Sequence, residues 1–193
     1  MHGDWYIFYH RHTNGTWFSR QGCAEKLPIR EDGLFGQAEL TSCGLNGGPL
    51  AGEGYYPSCI ACHLFTDRPV IYVGDSDKPE YVNGSFPKIV KEGWDGDQNE
   101  GYITNMYDQC TAGFRYFDLS HVSEITLTIR GYAYGSMEIR TSFEGSAVKT
   151  IPLHYSNIWR DIKTEIKLPE GADSLYFTYR GPGSASFKGF TLK

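Results

Sequence analysis

The chain has 193 residues, a net charge of −5 with its 18 lysines and arginines scattered singly, and an aromatic content of 15%. No basic stripe is present to follow a phosphate backbone, so nucleic acid is not an expected partner, and no apolar run approaches the length of a membrane span. Twenty-three glycines and nine prolines beside those aromatics favour a turn-rich, all-β protein of one large or two small domains.

The N-terminus runs from Met1 almost at once into the strand-like "DWYIFYH", without the basic-then-apolar lead of a signal peptide. That start is expected of a fragment cut inside a domain. Strands are predicted around Trp5 to His10, Thr16 to Ala24 and Phe35 to Thr41, followed by the Gly-rich "CGLNGGPLAGEGYY". Five cysteines are an odd number, so no dense disulfide framework is implied.

The stretch "PSCIACHLF" holds Cys59, Cys62 and His63 in the C-x-x-C-H spacing of covalent haem attachment. Its flanks alternate instead like a strand, with Ile60, Cys62 and Leu64 on one side and Ala61 and His63 on the other, so two cysteines in a β-strand are expected. The polar "GDSDKP", Gly74 to Pro79, marks a change of composition and a domain boundary. "WDGDQNEG" has the Asp95, Asp97, Asn99 spacing of a calcium loop, but Glu100 stands where the glycine belongs and Met106 where the bidentate glutamate belongs.

Beyond residue 110 the period-two signal is clean. Ile125, Leu127 and Ile129 alternate with Thr126, Thr128 and Arg130, and Met137, Ile139 and Phe143 alternate with polar neighbours. The same pattern returns at Ile162, Thr164, Ile166 and Leu168 and at Leu175, Phe177 and Tyr179, with turns at "EGS", "PEGAD" and "GPGS". Short strands at near-regular spacing predict a β-sandwich.

On "DWYIFYHRHTNGTWFSRQGCAEKLPI" and "QAELTSCGLNGGPL" the sequence resembles the closing part of glycoside hydrolase family 43, five-bladed β-propellers acting on xylan and arabinoxylan; the likeness is greatest to arabinoxylan arabinofuranohydrolases and β-xylosidases. From "EGYITNMYDQCTAGFRYFDL" to "LYFTYRGPGSASFKGFTLK" it is similar to the family 6 carbohydrate-binding modules fused behind such propellers. The resemblance implies an all-β chain in two parts: residues 1–75 a last-blade remnant of the propeller, and residues 76–193 a jelly-roll β-sandwich that binds xylan or arabinoxylan. It also implies a secreted parent enzyme. A short propeller piece leaves sheet edges bare, so docking or self-association is expected.

The family's catalytic base, acid and tuning carboxylate come from earlier blades. None of Glu25, Glu31, Asp32, Glu39 or Glu53 matches those roles, so non-catalytic binding is expected. His10 of "YHRH", with His12 as neighbour, corresponds to the histidine that the last blade brings into the propeller channel. An alternative is a small hydrolase, either a glycosidase or an esterase using Ser76 of "YVGDSD" with Asp118 and His121 in D-x-x-H spacing. Such esterases are α/β folds with those residues near the C-terminus, a context missing here.

In family 6 modules two aromatics and an asparagine line the sugar cleft. Carried over, these fall on Trp159, on Phe114 or its neighbour Tyr107, and on Ser186, which departs from asparagine. Sugar rings have apolar faces and polar rims, which is why flat aromatics beside hydrogen-bonding side chains suit them. For Trp159 and Phe114 a place in the core is the competing reading. Tyr132 and Tyr134 of "RGYAYGS" form a looser alternative platform. No organic cofactor is expected. The family often holds a structural calcium, but Lys188 stands at the C-terminal ligand position.

Overall fold

The computed structural model describes residues 3–13, 20–67, 86–91 and 101–193. It is built from strands, with two short 3-10 turns and no α-helix among the described residues. Strands β1 (Trp5–His12) and β2 (Arg20–Leu27) form an antiparallel hairpin in continuous register from Trp5 opposite Leu27 to His12 opposite Arg20. The remaining strands are β3 (Gly54–Pro57), β4 (His63–Phe65), β5 (Lys88–Val90), β6 (Tyr102–Met106), β7 (Thr111–Arg115), β8 (Glu124–Gly131), β9 (Ser136–Arg140), β10 (Lys149–Pro152), β11 (Ser156–Glu165), β12 (Ser174–Arg180) and β13 (Ala185–Leu192). They make two facing sheets, one in the order β10-β9-β12-β7-β4 and the other β11-β8-β13-β6-β5, with β3 also paired to β13.

The alternation read from the sequence places the core. Ile125, Leu127 and Ile129 of β8, Met137 and Ile139 of β9 and Leu175, Phe177 and Tyr179 of β12 are all buried. At the centre Phe114, Phe177, Phe187 and Phe190 pack ring against ring, with the Phe177 centroid 5.0 Å from both Phe187 and Phe190. Such offset and edge-on contacts add to the gain from removing large rings from water. Strand β12 is buried on its outer side too, because Tyr176 lies flat over Gly113, where a Cβ would come within 2.6 Å of the ring.

Several local expectations change. Phe35 to Thr41 is not a strand: Phe35 makes only an isolated bridge to Ile29, and the rest is held by single bonds, including the Gly36 amide donating to the Pro28 carbonyl and Arg115 Nε donating to the Leu40 carbonyl. Phe143 lies beyond the end of β9 in a turn, on the protein surface. The strand expected through Ile60, Cys62 and Leu64 is a 3-10 turn, Ser58–Ile60, followed by the three-residue β4. Ser58 explains the turn, because its buried hydroxyl donates to the Phe187 carbonyl and accepts from the Ile103 amide, tying the turn to β13 and β6.

The boundary expected at 75/76 and the "GDSDKP" turn lie outside the described residues. Upstream of them, β3 pairs with β13 and β4 with β7, so both sheets of the sandwich draw strands from the N-terminal side of that point. The hairpin meets the sandwich through polar bonds. Arg11 donates to the Ala61 and Cys62 carbonyls, Gln21 Nε2 to the Cys59 carbonyl, and the Ile89 amide of β5 to the Thr13 carbonyl.

Candidate carbohydrate-binding face

The outer face of the β11-β8-β13-β6-β5 sheet carries the residues that alternate with the core. Strand β11 runs opposite β8, but the register jumps: Ser156 faces Gly131 while Arg160 faces Ile129, so two extra residues bulge out of β11. Bulges re-aim side chains, and this one holds Asn157, Ile158 and Trp159. The Trp159 indole, half-buried, lies on the outer face of the sheet and not between the sheets. The Arg130 guanidinium sits 4.2 Å from its ring centroid, Tyr102 meets it edge-on at 5.2 Å, and the Lys188 ammonium lies 5.8 Å away. Arg130 also donates to the Tyr102 phenol oxygen at 3.1 Å. Cations over the indole face are held by its quadrupole, which orients the ring.

Ser186 belongs to the same face. It pairs with Arg130 across β13 and β8, and its hydroxyl shares a 2.9 Å hydrogen bond with Thr104. The fold therefore brings Trp159 and Ser186 together and adds Tyr102, Thr104, Arg130 and Lys188. Their outward parity was readable, since Arg130 follows Thr126 and Thr128, and Tyr102 precedes the inward Ile103. Their meeting was not.

Phe114 is a correction. Its side chain is 0% exposed, enclosed by Phe177, Phe187 and Phe190, so it is a core ring and no sugar platform. The reason is parity: on β7 Ala112 and Phe114 point inward, and Gly113 takes the outer position beneath Tyr176. Tyr107 packs against the rim of the core and lines a cleft of about 450 Å³ with Asp108, Gly181, Pro182 and Gly183 at one end of the sandwich. His10 is exposed on β1, its ring 6.2 Å from His12.

The acids of the N-terminal region serve structure. Glu25, 4% exposed, accepts from the Tyr9 phenol, the Thr41 amide and the Thr41 hydroxyl. Burial, reinforced by the Glu25 charge, raises the Tyr9 phenol well above its ordinary value. Glu39 accepts from the Tyr116 phenol at 2.8 Å, and both acids line a cleft of about 470 Å³ between hairpin and sandwich. Asp118 Oδ1 accepts from the Ser120 amide and hydroxyl, which hold the carboxyl below its usual value. Ser76 and residues 94–100 of the calcium-like loop lie outside the described residues.

The haem-like spacing has no haem geometry behind it. Cys62 is buried with its thiol directed to the Gly113 carbonyl, and burial pushes that thiol up. His63 lies against the Tyr176 ring, and burial lowers its imidazole, with Arg115 and Arg11 adding to the effect. Among the described residues no three His, Cys, Asp or Glu side chains gather as a metal site, and the ammonium of Lys188 does not fit a calcium ligand.

A sheet-borne aromatic with a polar rim, on a two-sheet jelly-roll body, defines the class. The chain superposes on the carbohydrate-binding module CsCBM6-3 of Clostridium stercorarium, solved with cellobiose, with a TM-score of 0.57 and 11% identity over 76% of this chain and 98% of the module. At that identity the likeness shows the fold, a β-sandwich of the family 6 type. A family 43 arabinoxylan arabinofuranohydrolase of Bacillus subtilis, solved with cellotetraose, matches all of this chain and 39% of its own length, with a TM-score of 0.59 and 15% identity. In sequence the chain is 50% identical over 192 residues to a xylosidase/arabinosidase of Thermoclostridium stercorarium, covering 100% of this chain and 40% of that relative. The chain thus corresponds over its whole length to part of a family 43-type xylosidase/arabinosidase with a family 6-like module, and it spans well under half of that relative. No family model matches the sequence.

Proposed function

We propose that this chain is a non-catalytic polysaccharide-binding unit that holds xylan or arabinoxylan for the hydrolytic part of a longer, secreted protein. The observation that carries the reading is the outward bulge that presents Trp159 beside Arg130, Tyr102 and Ser186 on one sheet face. The indole and phenol offer an apolar surface to a pyranose ring, and the guanidinium and hydroxyls address its rim. The relationship to a xylosidase/arabinosidase supports xylan as the chain held, and the ligands of the two solved neighbours, cellobiose and cellotetraose, support a β-linked glycan.

The β1–β2 hairpin is the remnant of a propeller blade in this reading. It exposes Trp5, Ile7 and Phe8, so the isolated chain self-associates through it, measurable by sedimentation.

Calorimetric titration with soluble arabinoxylan tests the function. One aromatic platform with a few hydrogen bonds corresponds to roughly micromolar to millimolar affinity. Trp159→Ala abolishes binding and leaves the melting temperature near that of the parent, because the ring is outside the core. Unchanged affinity in the folded variant removes this face from consideration. Release of arabinose or xylose that tracks the purified protein overturns the non-catalytic reading.

A further inference from the structure

We infer that the Trp159 face reads charge as well as shape: Lys88 and Lys188 take the carboxylates of a xylan-type glycan that bears uronic acid side groups. The inference rests on the carbohydrate-binding reading above and names the class of glycan that this face prefers. One row of outward side chains runs across the sheet. Arg130 on β8 pairs with Ser186 on β13, the Ser186 hydroxyl shares its 2.9 Å hydrogen bond with Thr104 on β6, and Thr104 pairs with Lys88 on β5. Residues directly opposite each other in a sheet share a face, so Lys88 projects from the side that carries Trp159. Lys188, on the same strand as Ser186, holds its ammonium 5.8 Å from the Trp159 ring centroid.

The charge of the two lysines is not neutralised within the protein. Arg130 is engaged, with its guanidinium over the indole at 4.2 Å and donating to the Tyr102 phenol oxygen. Among the described residues neither Lys88 nor Lys188 is in an ion pair, whereas Lys26, Lys163 and Lys193 all are. The carboxylates that the described part of this face carries stand elsewhere. Asp161 accepts from the Thr128 hydroxyl at 2.7 Å, and Glu124 and Glu165 lie opposite each other at the other end of β8, where Lys163 and Lys193 hold Glu124. Three cations therefore flank the platform in a chain whose net charge is −5. Such a local reversal of sign draws an anion to this face and away from the rest of the surface.

The aromatic ring among the cations selects a sugar. An ammonium donating to a carboxylate makes a stronger hydrogen bond than a neutral pair does, and a pyranose stacked on Trp159 brings its own substituents to Lys188. With neighbouring strands about 4.8 Å apart, Lys88 on β5 stands two strand spacings, roughly 10 Å, beyond Ser186 on β13. That separation suits a side group on another sugar of the same chain, and a small inorganic anion meets only one of the two lysines. The xylan backbone is itself uncharged, so the anionic groups that meet these lysines are uronic acids attached to it.

The test is titration calorimetry on the full chain with two probes: a xylo-oligosaccharide bearing glucuronic acid side groups, and the same molecule with those carboxyls reduced to alcohols. Exposed ion pairs are individually weak and screened by salt, so the acidic probe binds about five-fold tighter than the reduced one at low ionic strength, and the difference disappears at about 1 M salt. Lys88→Gln and Lys188→Gln each lower that ratio, and the double variant brings it to about one. Because the ratio is read within each variant, a change in overall affinity does not enter it. Equal affinity for the two probes in the parent overturns the proposal and leaves the Trp159 reading standing, as does a preference that survives in the double variant. Binding of neither probe, nor of arabinoxylan, overturns the carbohydrate reading and this proposal with it. Inorganic polyphosphate that competes with the acidic probe and binds as tightly shows a general anion surface and also overturns the proposal.

Discussion

The sandwich and the stretch before it are ordered by different means. From Ala61 to Leu192 the buried apolar residues form one continuous core, with Phe114, Phe177, Phe187 and Phe190 at its centre. Among the described residues before residue 50 the buried ones are Thr13, Glu25 and Ser42, all polar, while Trp5, Phe8, Leu34, Phe35 and Leu45 face solvent, Phe8 at 71%. The hairpin is held by bonds: Glu25 gathers Tyr9 and Thr41, and Arg11 and Gln21 reach loop carbonyls of the sandwich. A segment without a core of its own keeps a defined place when a neighbour's unpaired carbonyls accept its long donors. Its apolar side chains then remain as surface for something else.

The contrast is broken most severely from the sandwich side. Phe114→Ala removes a ring with no exposure and costs about 3–5 kcal/mol, a fall of roughly 6–20 °C in melting temperature for a chain of this size. Differential scanning calorimetry reads it; a melt within a degree or two of the parent would mean that the ring is not part of the core.

A smaller effect is expected in the hairpin. Glu25→Ala leaves the Tyr9 phenol and the Thr41 amide and hydroxyl without their acceptor, a loss of about 1–3 kcal/mol. Because the core does not extend there, the loss appears as faster amide exchange in β1 and β2 with the main thermal transition in place. A single transition that shifts as a whole would show that hairpin and sandwich unfold as one unit.

The smallest effect lies at the junction. His63 on β4 has its imidazole held below the ordinary 6.5 by burial, with Arg115 and Arg11 contributing. The folded state therefore resists a proton that the unfolded chain accepts, so this stability is present above the unfolded value and is lost as pH falls below it. Chemical denaturation at a series of pH values down from neutral shows a stability slope in the parent that flattens in His63→Gln. An unchanged slope would assign the pH dependence to other groups.

Much of the fold was legible because half-buried strands write their orientation into the sequence at every second residue. Ile125, Leu127 and Ile129, and Leu175, Phe177 and Tyr179, declared both their strands and their inward faces, and the resemblance singled out Trp159, which lies on the outer face of its sheet. The stretch Phe35 to Thr41 misled because it pairs only at the Ile29–Phe35 bridge, and single backbone and side-chain bonds hold it in place of a strand ladder. Phe114 misled because position along a strand does not state which parity is inward until Gly113 is seen beneath Tyr176.

By itself, then, the sequence determined an all-β chain, most of its core strands and a relationship to family 43 enzymes with a family 6-like module. Tertiary structure alone decided that the bulge after Ser156 turns Trp159 onto Arg130 and Tyr102, and that Tyr155 joins Tyr132 and Tyr134. The physical reason is range. Alternation is local and repeats along each strand, whereas a surface site depends on pairing register between strands distant in sequence, where a shift of one residue moves a side chain to the other face.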